Sequence, residues 1–318
     1  MMRIAIVFAD AQERMRWAGA MDEAMTKAGV QAQVLCWEEQ ARDPPSLAPA
    51  DAMPHSPVDY AVGWLPPASF FAEHPELKAF FNAGAGVDAI LRAKTVPPDM
   101  AIYRLEDAGM GLQMAQYCAL ECLHVVGQRS AYAEDQRMAR WQPREPLNAR
   151  DFPVGIVGMG VLGSQVAASL APLGFAVQGY RRQDDSPENW KRFLQSTRIL
   201  IVLAPLTEQT RGMINAQALS NLMPGAWLIN VARGALVVEA DLIDALNSGV
   251  LAGASLDVFC EEPLAFDSPF WKHPKLRMTP HIAACTLLQP AVKQIAAKIL
   301  QHIQGQSPSG LIDRDLAY

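Results

Sequence analysis

The sequence predicts an α/β fold in which a doubly wound parallel sheet follows a smaller α/β unit. Three observations predict it. From Phe152 onward, short continuous apolar runs alternate with helix-like segments, the pattern of strands covered on both faces by helices. Gly158-Met159-Gly160-Val161-Leu162-Gly163 stands between one such run and one such helix. The chain has 318 residues, half of them hydrophobic and 19% charged, which suits about two buried cores.

The elements follow in order. Arg3–Phe8 is a short apolar strand, and Gln12–Ala28 has helical spacing, with Met15, Ala18, Met21 and Met25 on one side. Gln33–Trp37 and Val58–Trp64 are further strands. Between them, Asp43–Pro57 is rich in Pro, Ala and Ser and is expected to be a surface loop. Leu77–Asn82 runs into Ala83-Gly84-Ala85-Gly86, and Ile102–Leu105 is a last short strand of this unit. Asp107–Val126 is long, apolar and free of proline, so it is expected to be a buried helix. Ser130–Arg150, with Trp141, Pro143 and Pro146, is more polar and is expected to be a connecting arm. Strands are then expected at Val154–Val157, Ala176–Tyr180, Ile199–Leu203, Ala226–Val231 and Leu251–Val258. Helices among them include Leu162–Leu173, Ala216–Asn221 and Glu239–Ser248. Leu287–Ile303 is a closing amphipathic helix.

A formal net charge of -6, with no basic run, argues against nucleic acid as a partner. The apolar run near the start is too short for a signal-peptide core, and nothing approaches the roughly 18 apolar residues of a membrane span, so a cytoplasmic location is expected. Cys36, Cys118, Cys122, Cys260 and Cys285 are scattered and are expected to be buried structural thiols, with no metal site.

The glycine loop has separable physical roles. Gly158 permits a tight turn, Gly160 lets a backbone approach a pyrophosphate, and Gly163 lets helix and strand pack closely. The anion would rest on N–H groups at the start of the helix, where Val161 and Leu162 lie. The second strand ends in Arg181-Arg182, where an NAD enzyme would carry an acid for the ribose hydroxyl. Two guanidinium groups favour the 2′-phosphate of NADP instead, with NADH still usable. Beyond other strand ends lie Arg233, Glu262 and His281. Reduction of a 2-oxo acid needs a carboxylate clamp, a proton donor and something to hold that donor charged. Arg233 suits the clamp, His281 the proton donor and Glu262 the group that holds that donor charged.

Taken together, these motifs resemble the D-2-hydroxyacid dehydrogenase family over nearly the whole chain. The resemblance is carried by the glycine loop and by Ala204-Pro205-Leu206-Thr207, Asn230-Val231-Ala232-Arg233-Gly234, Leu256-Asp257-Val258-Phe259, Glu262-Pro263-Leu264 and Thr279-Pro280-His281. Val62-Gly63-Trp64-Leu65-Pro66-Pro67, Ala83-Gly84-Ala85-Gly86-Val87-Asp88 and the C-terminal Asp313-Arg314 are similar to the branch that reduces glyoxylate and hydroxypyruvate with NADPH.

The resemblance implies a Rossmann cofactor domain, residues 103–285. It would be inserted into a smaller flavodoxin-like substrate domain made of 1–102 and 286–318, with the reaction in the cleft between them. It implies Arg233, Glu262 and His281 as the catalytic trio. Pro205, Thr210, Ala232 and Asp257 would join the glycine loop in holding the cofactor, Asp257 through the nicotinamide carboxamide. Trp64, Ala85, Gly86 and Val87, with Arg233 and His281, would meet the substrate. It also implies a homodimer, with the arm near Trp141 reaching across. Gln183-Asp184-Asp185 is less basic than that branch, and Leu287-Leu288 replace a more polar pair. Two alternatives stay open at this point: another 2-hydroxyacid specificity, and a nucleotide-sensing binding protein of corepressor type.

Overall fold

A computed structural model describes residues 1–38, 57–181 and 186–316. The chain forms two compact units, Met1–Gly109 with Thr286–Tyr318, and Met110–Cys285. Residues 103–109 therefore fall in the first unit, not the second where the sequence reading put them. Tyr103 explains this: it pairs with Phe81 and bridges to Leu311.

The first unit opens with β1 (Met2–Val7), α1 (Ala11–Lys27), β2 (Ala32–Cys36), β3 (Tyr60–Gly63), α2 (Ala68–Glu73), β4 (Ala79–Asn82), α3 (Asp88–Ala93) and β5 (Ile102–Tyr103). Its strands pair in parallel in the order β2-β1-β3-β4-β5. β1, β3 and β4 are almost wholly buried, which is why they read as unbroken apolar runs. Asp10 caps α1 by accepting from the N–H of Glu13. That helix buries Trp17, Ala20, Met21 and Met25, whereas Met15 is 64% exposed. The expected stripe was thus misphased at its N-terminal end, where Trp17 takes the inward place. The expected loop Asp43–Pro57 lies mostly outside the described residues.

The second unit contains α4 (Met110–Val126), α5 (Arg129–Arg137), β6 (Val154–Val157), α6 (Val161–Leu170), β7 (Val177–Tyr180), α7 (Pro187–Gln195), β8 (Ile199–Val202), α8 (Ala216–Ser220), β9 (Ala226–Asn230), α9 (Glu239–Ser248), β10 (Leu251–Leu256) and β11 (Leu276–Met278). α10 (Leu288–Ile303) then returns to the first unit. The second sheet is parallel, in the order β11-β10-β9-β8-β6-β7. Separate apolar clusters cover its two faces. Leu200, Val202, Leu228 and Leu242 belong to one; Ile199, Ile201, Ile229, Cys118 and Val166 belong to the other. Strand order reverses at β6/β8, and ligands of such sheets bind beyond the strand ends at that point.

Several expectations need correction here. The expected arm 130–150 begins as a helix, α5, and becomes an extended arm after it. α2, α3, α7 and β11 went unrecognised; Leu276-Arg277-Met278 is a half-buried edge strand with a charge in its middle. Cys118 and Cys122 are buried, but Cys36, Cys260 and Cys285 are exposed. Among the described residues, no helix is long and apolar enough to cross a membrane, and no cluster of potential metal ligands occurs.

Candidate active site

The glycine loop has the geometry that its residue types require. Gly158 has φ 103°, and a Cβ there would lie 2.6 Å from the backbone of Leu203 and Ala204. The loops after β6 and β8 are thus in contact where the strand order turns. A Cβ on Gly163 would lie 2.0 Å from the carbonyl oxygen of Gly158, so only glycine lets α6 pack this close. Gly160 is different: a Cβ on it meets nothing within 4 Å. It caps α6 without a side-chain hydrogen bond, and Val161 beside it is 48% exposed. The first-turn N–H groups of Val161 and Leu162 are left for an anion, so the loop fits a dinucleotide phosphate.

The other expected cofactor residues divide. Arg181 is exposed just after β7, and Arg182 lies outside the described residues. The loop after β8 is braced from within: the Thr210 hydroxyl donates to the Pro205 carbonyl at 2.8 Å and accepts from the Thr207 N–H at 2.8 Å. Thr210 is therefore occupied in shaping the Pro205 turn. Ala232 is buried, its N–H donating to Asn230 Oδ1 and its carbonyl accepting from the Arg233 guanidinium at 2.7 Å.

Arg233 is half-buried on the turn after β9, and Asn230 Nδ2 holds its carbonyl at 2.9 Å. The next residue brings this turn to the Glu262 loop. A Cβ on Gly234 would fall 1.9 Å from the carbonyl carbon of Phe259 and 2.3 Å from the N of Cys260. Glu262 is pinned by one oxygen, which accepts from the Phe259 N–H at 2.9 Å. Its other oxygen lies 2.7 Å from His281 Nδ1. Both side chains remain open to solvent, at 46% for His281 and 35% for Glu262. Burial and the nearby Glu239 carboxylate push the Cys260 thiol up to about 11, so it stays a neutral thiol.

His281 itself sits at φ 56°, a left-handed conformation unusual for a residue with a side chain. Asp257, 1% exposed, is what surrounds that turn with acceptors. Its carbonyl accepts from the His281 N–H, and its carboxylate accepts from the N–H groups of Ile282 and Ala283, each at 2.8 Å. Asp257, expected from the resemblance to meet the nicotinamide carboxamide, thus also holds the histidine loop with its carboxylate.

In the first unit, Trp64 follows β3 and is 38% exposed, so it is no core tryptophan. Its ring covers Gly84, where a Cβ would lie 2.6 Å from the indole. The turn 83–87 is held from inside by buried Asn82, whose Nδ2 donates to the carbonyls of Gly84 and Gly86 at 3.0 Å each. The Gly84 carbonyl also accepts from the Leu105 N–H. With the carbonyls drawn inward, the N–H groups of Ala85, Gly86 and Val87 donate to no acceptor among the described residues. The sequence reading missed Asn82; an Asn at a strand end before a glycine-rich turn was the available signal.

Comparison with known proteins decides the family. Residues 120–283 match the model described as D-isomer specific 2-hydroxyacid dehydrogenase, NAD binding domain. The chain belongs to the D-isomer specific 2-hydroxyacid dehydrogenase family. A glyoxylate/hydroxypyruvate reductase A from Serratia proteamaculans is 42% identical over 302 residues, 91% of this chain and 92% of that protein. Two solved dehydrogenases of the family align over nearly their full lengths. The NADPH-dependent glyoxylate/hydroxypyruvate reductase of Sinorhizobium meliloti, in complex with NADP and sulfate, is 31% identical with a TM-score of 0.86. It covers 100% of both chains. The Xanthobacter autotrophicus enzyme, in complex with NADPH and MES, is 35% identical with a TM-score of 0.86. It covers 99% of this chain and 100% of its own.

Proposed function

We propose that this dehydrogenase reduces small 2-oxo acids with NADPH: glyoxylate to glycolate and hydroxypyruvate to D-glycerate. The observation that carries the reading is the His281–Glu262 pair at 2.7 Å, on a loop that abuts the turn of Arg233. The dinucleotide, when bound, supplies the hydride to the carbonyl carbon. Gly158, Gly160, Val161, Leu162 and Gly163 would hold its phosphates, with Pro205 and Ala232 beside them and Arg181 and Arg182 toward the 2′-phosphate.

With Nδ1 against the carboxylate, Nε2 of His281 is the nitrogen left to give a proton to the substrate oxygen. Glu262 stabilises the imidazolium and fixes the ring. Arg233 clamps the substrate carboxylate and polarises the carbonyl. The N–H groups of Ala85, Gly86 and Val87 supply further donors for that carboxylate, and Trp64 limits substrate size.

Steady-state kinetics with glyoxylate and hydroxypyruvate, using NADPH and NADH in turn, tests this. We expect turnover with both acids and higher kcat/KM with NADPH. His281→Ala should lower kcat by about a thousandfold, within the usual range for a general acid, while leaving NADPH affinity within about twofold. Normal turnover in that variant removes the proton-donor role.

We further propose a homodimer. The arm after α5 leaves Trp141 fully exposed, with Met138 and Leu147 also outward, yet it is fixed by Arg144 bonding Asp135 at 2.7 Å. A rigid apolar arm of this kind suits a second copy of the chain. A single-chain mass in sedimentation experiments overturns this.

A further inference from the structure

The polar side chains of α4 have no part in the reaction described above. Gln113, Tyr117 and Glu121 fall four residues apart on it, a single stripe along one helix face. All three reach the segment that carries His281. Gln113 clasps the backbone of Cys285 at two points, Nε2 to its carbonyl at 2.9 Å and Oε1 from its N–H at 3.2 Å. The Tyr117 hydroxyl lies 2.6 Å from Thr279 Oγ1. Glu121, 5% exposed, accepts from Arg277 at 2.9 Å and from Ser255 at 2.5 Å. The contacts run in register: helix residues 113, 117 and 121 meet loop and strand residues 285, 279 and 277.

The middle contact has a fixed direction. Thr279 Oγ1 donates its one proton to Asp257 Oδ1 at 2.6 Å. Tyr117 must then be the donor to Thr279. Burial pushes the Tyr117 phenol well up, so it keeps that proton throughout the neutral range. The chain Tyr117–Thr279–Asp257 ends on the N–H groups of Ile282 and Ala283, which follow His281 directly.

We propose that Tyr117, Thr279 and Gln113 are positioning residues for His281. They hold the backbone around it in its left-handed turn, and with it the imidazole against Glu262. The proposal rests on the reading of His281 as the proton donor. The stripe does not touch the reacting groups, so it acts through Asp257 and the loop backbone.

Two measurements separate this proposal from that reading. In the cofactor-free protein, amide hydrogen exchange at 281–283 should quicken about tenfold in Thr279→Val and in Tyr117→Phe, because an anchor of a closed turn has been removed. In the assay, Thr279→Val should lower kcat about thirtyfold and Tyr117→Phe about tenfold, as expected for a displaced catalytic group. The KM for the oxo acid and the NADPH affinity should stay within about twofold. Thr279→Ser, which restores the hydroxyl, should recover both exchange protection and kcat.

Unchanged exchange in the two variants overturns the anchoring. Faster exchange with unchanged kcat overturns the positioning role, as does a loss that Thr279→Ser fails to recover. If His281→Ala itself turns over normally, the proton-donor reading fails while the exchange result still decides whether this stripe holds the loop.

Discussion

Each unit presents a loop at the end of a parallel strand, and each loop is organised by one buried polar side chain of opposite character. In the second unit Asp257 is an acceptor and gathers the N–H groups of the histidine turn. In the first unit Asn82 is used as a donor and gathers the carbonyls of Gly84 and Gly86. Nearly isosteric side chains thus turn their peptides in opposite senses. Where the acid sits, N–H groups face inward, and the turn they form carries His281, the proposed proton donor. Where the amide sits, carbonyls face inward, which leaves the N–H groups of Ala85, Gly86 and Val87 for the anion role proposed above. On the proposed reading, proton transfer belongs to the second unit, and the first adds backbone donors to the carboxylate clamp that Arg233 supplies.

Exchanging the two side chains is the direct way to break this division. Asp257→Asn should have the largest effect. It replaces an acceptor oxygen with an NH2 group that faces an N–H or hydroxyl donor, and the stranded donor costs about 2–3 kcal/mol of stability. The histidine turn loosens, and kcat should fall about a hundredfold with the KM for the oxo acid little changed. Urea denaturation and steady-state kinetics at saturating NADPH check both parts. Asn82→Asp should act on the other constant. A carboxylate at this buried position repels the carbonyls of Gly84 and Gly86, so the turn reverses and its outward N–H groups are lost. KM for the oxo acid should rise about thirtyfold, with kcat at saturation within about threefold. If Asn82→Asp lowers kcat and spares KM, the division of labour is wrong.

The sequence carried the second unit better than the first site. Gly158, Gly160 and Gly163 were legible because their spacing only makes sense between a strand and a helix, and Gly158 and Gly163 sit where a Cβ would collide with backbone. Arg233, Glu262 and His281 were singled out as types suited to one reaction and by the family resemblance, and the structure pairs Glu262 with His281. The loop-holding role of Asp257 was not legible, because its bonds there are made to backbone N–H groups, which leave no trace in residue identity. Tyr117 was hidden for a related reason. It lies in an apolar helix, where a tyrosine reads as core, and its partner is distant in sequence. β11 escaped because an edge strand with Arg277 at its centre lacks the apolar run that marked its neighbours.

The smallest expected effect lies in the second unit, at the end of α4 remote from the histidine loop. A protonated histidine near a helix C-terminus is ordinarily favoured by the dipole. At His124 the opposite wins: burial, and then the charges of Arg277 and Arg129, lower it to about 4. The unfolded chain therefore binds a proton there that the folded chain refuses, throughout the window from about 6.5 down to about 4. The neutral imidazole's contribution is complete above that window and is lost as the pH falls through it. Because His124 is only partly buried, the loss should be about 1 kcal/mol, well below what the full shift would imply. Urea midpoints at pH 7 and pH 4.5 measure it. His124→Gln keeps a polar partner for Ser130, which lies 3.0 Å from the imidazole, but cannot titrate. Its stability should fall less on acidification by that amount, and an identical acid slope in the variant would place the sensitivity elsewhere.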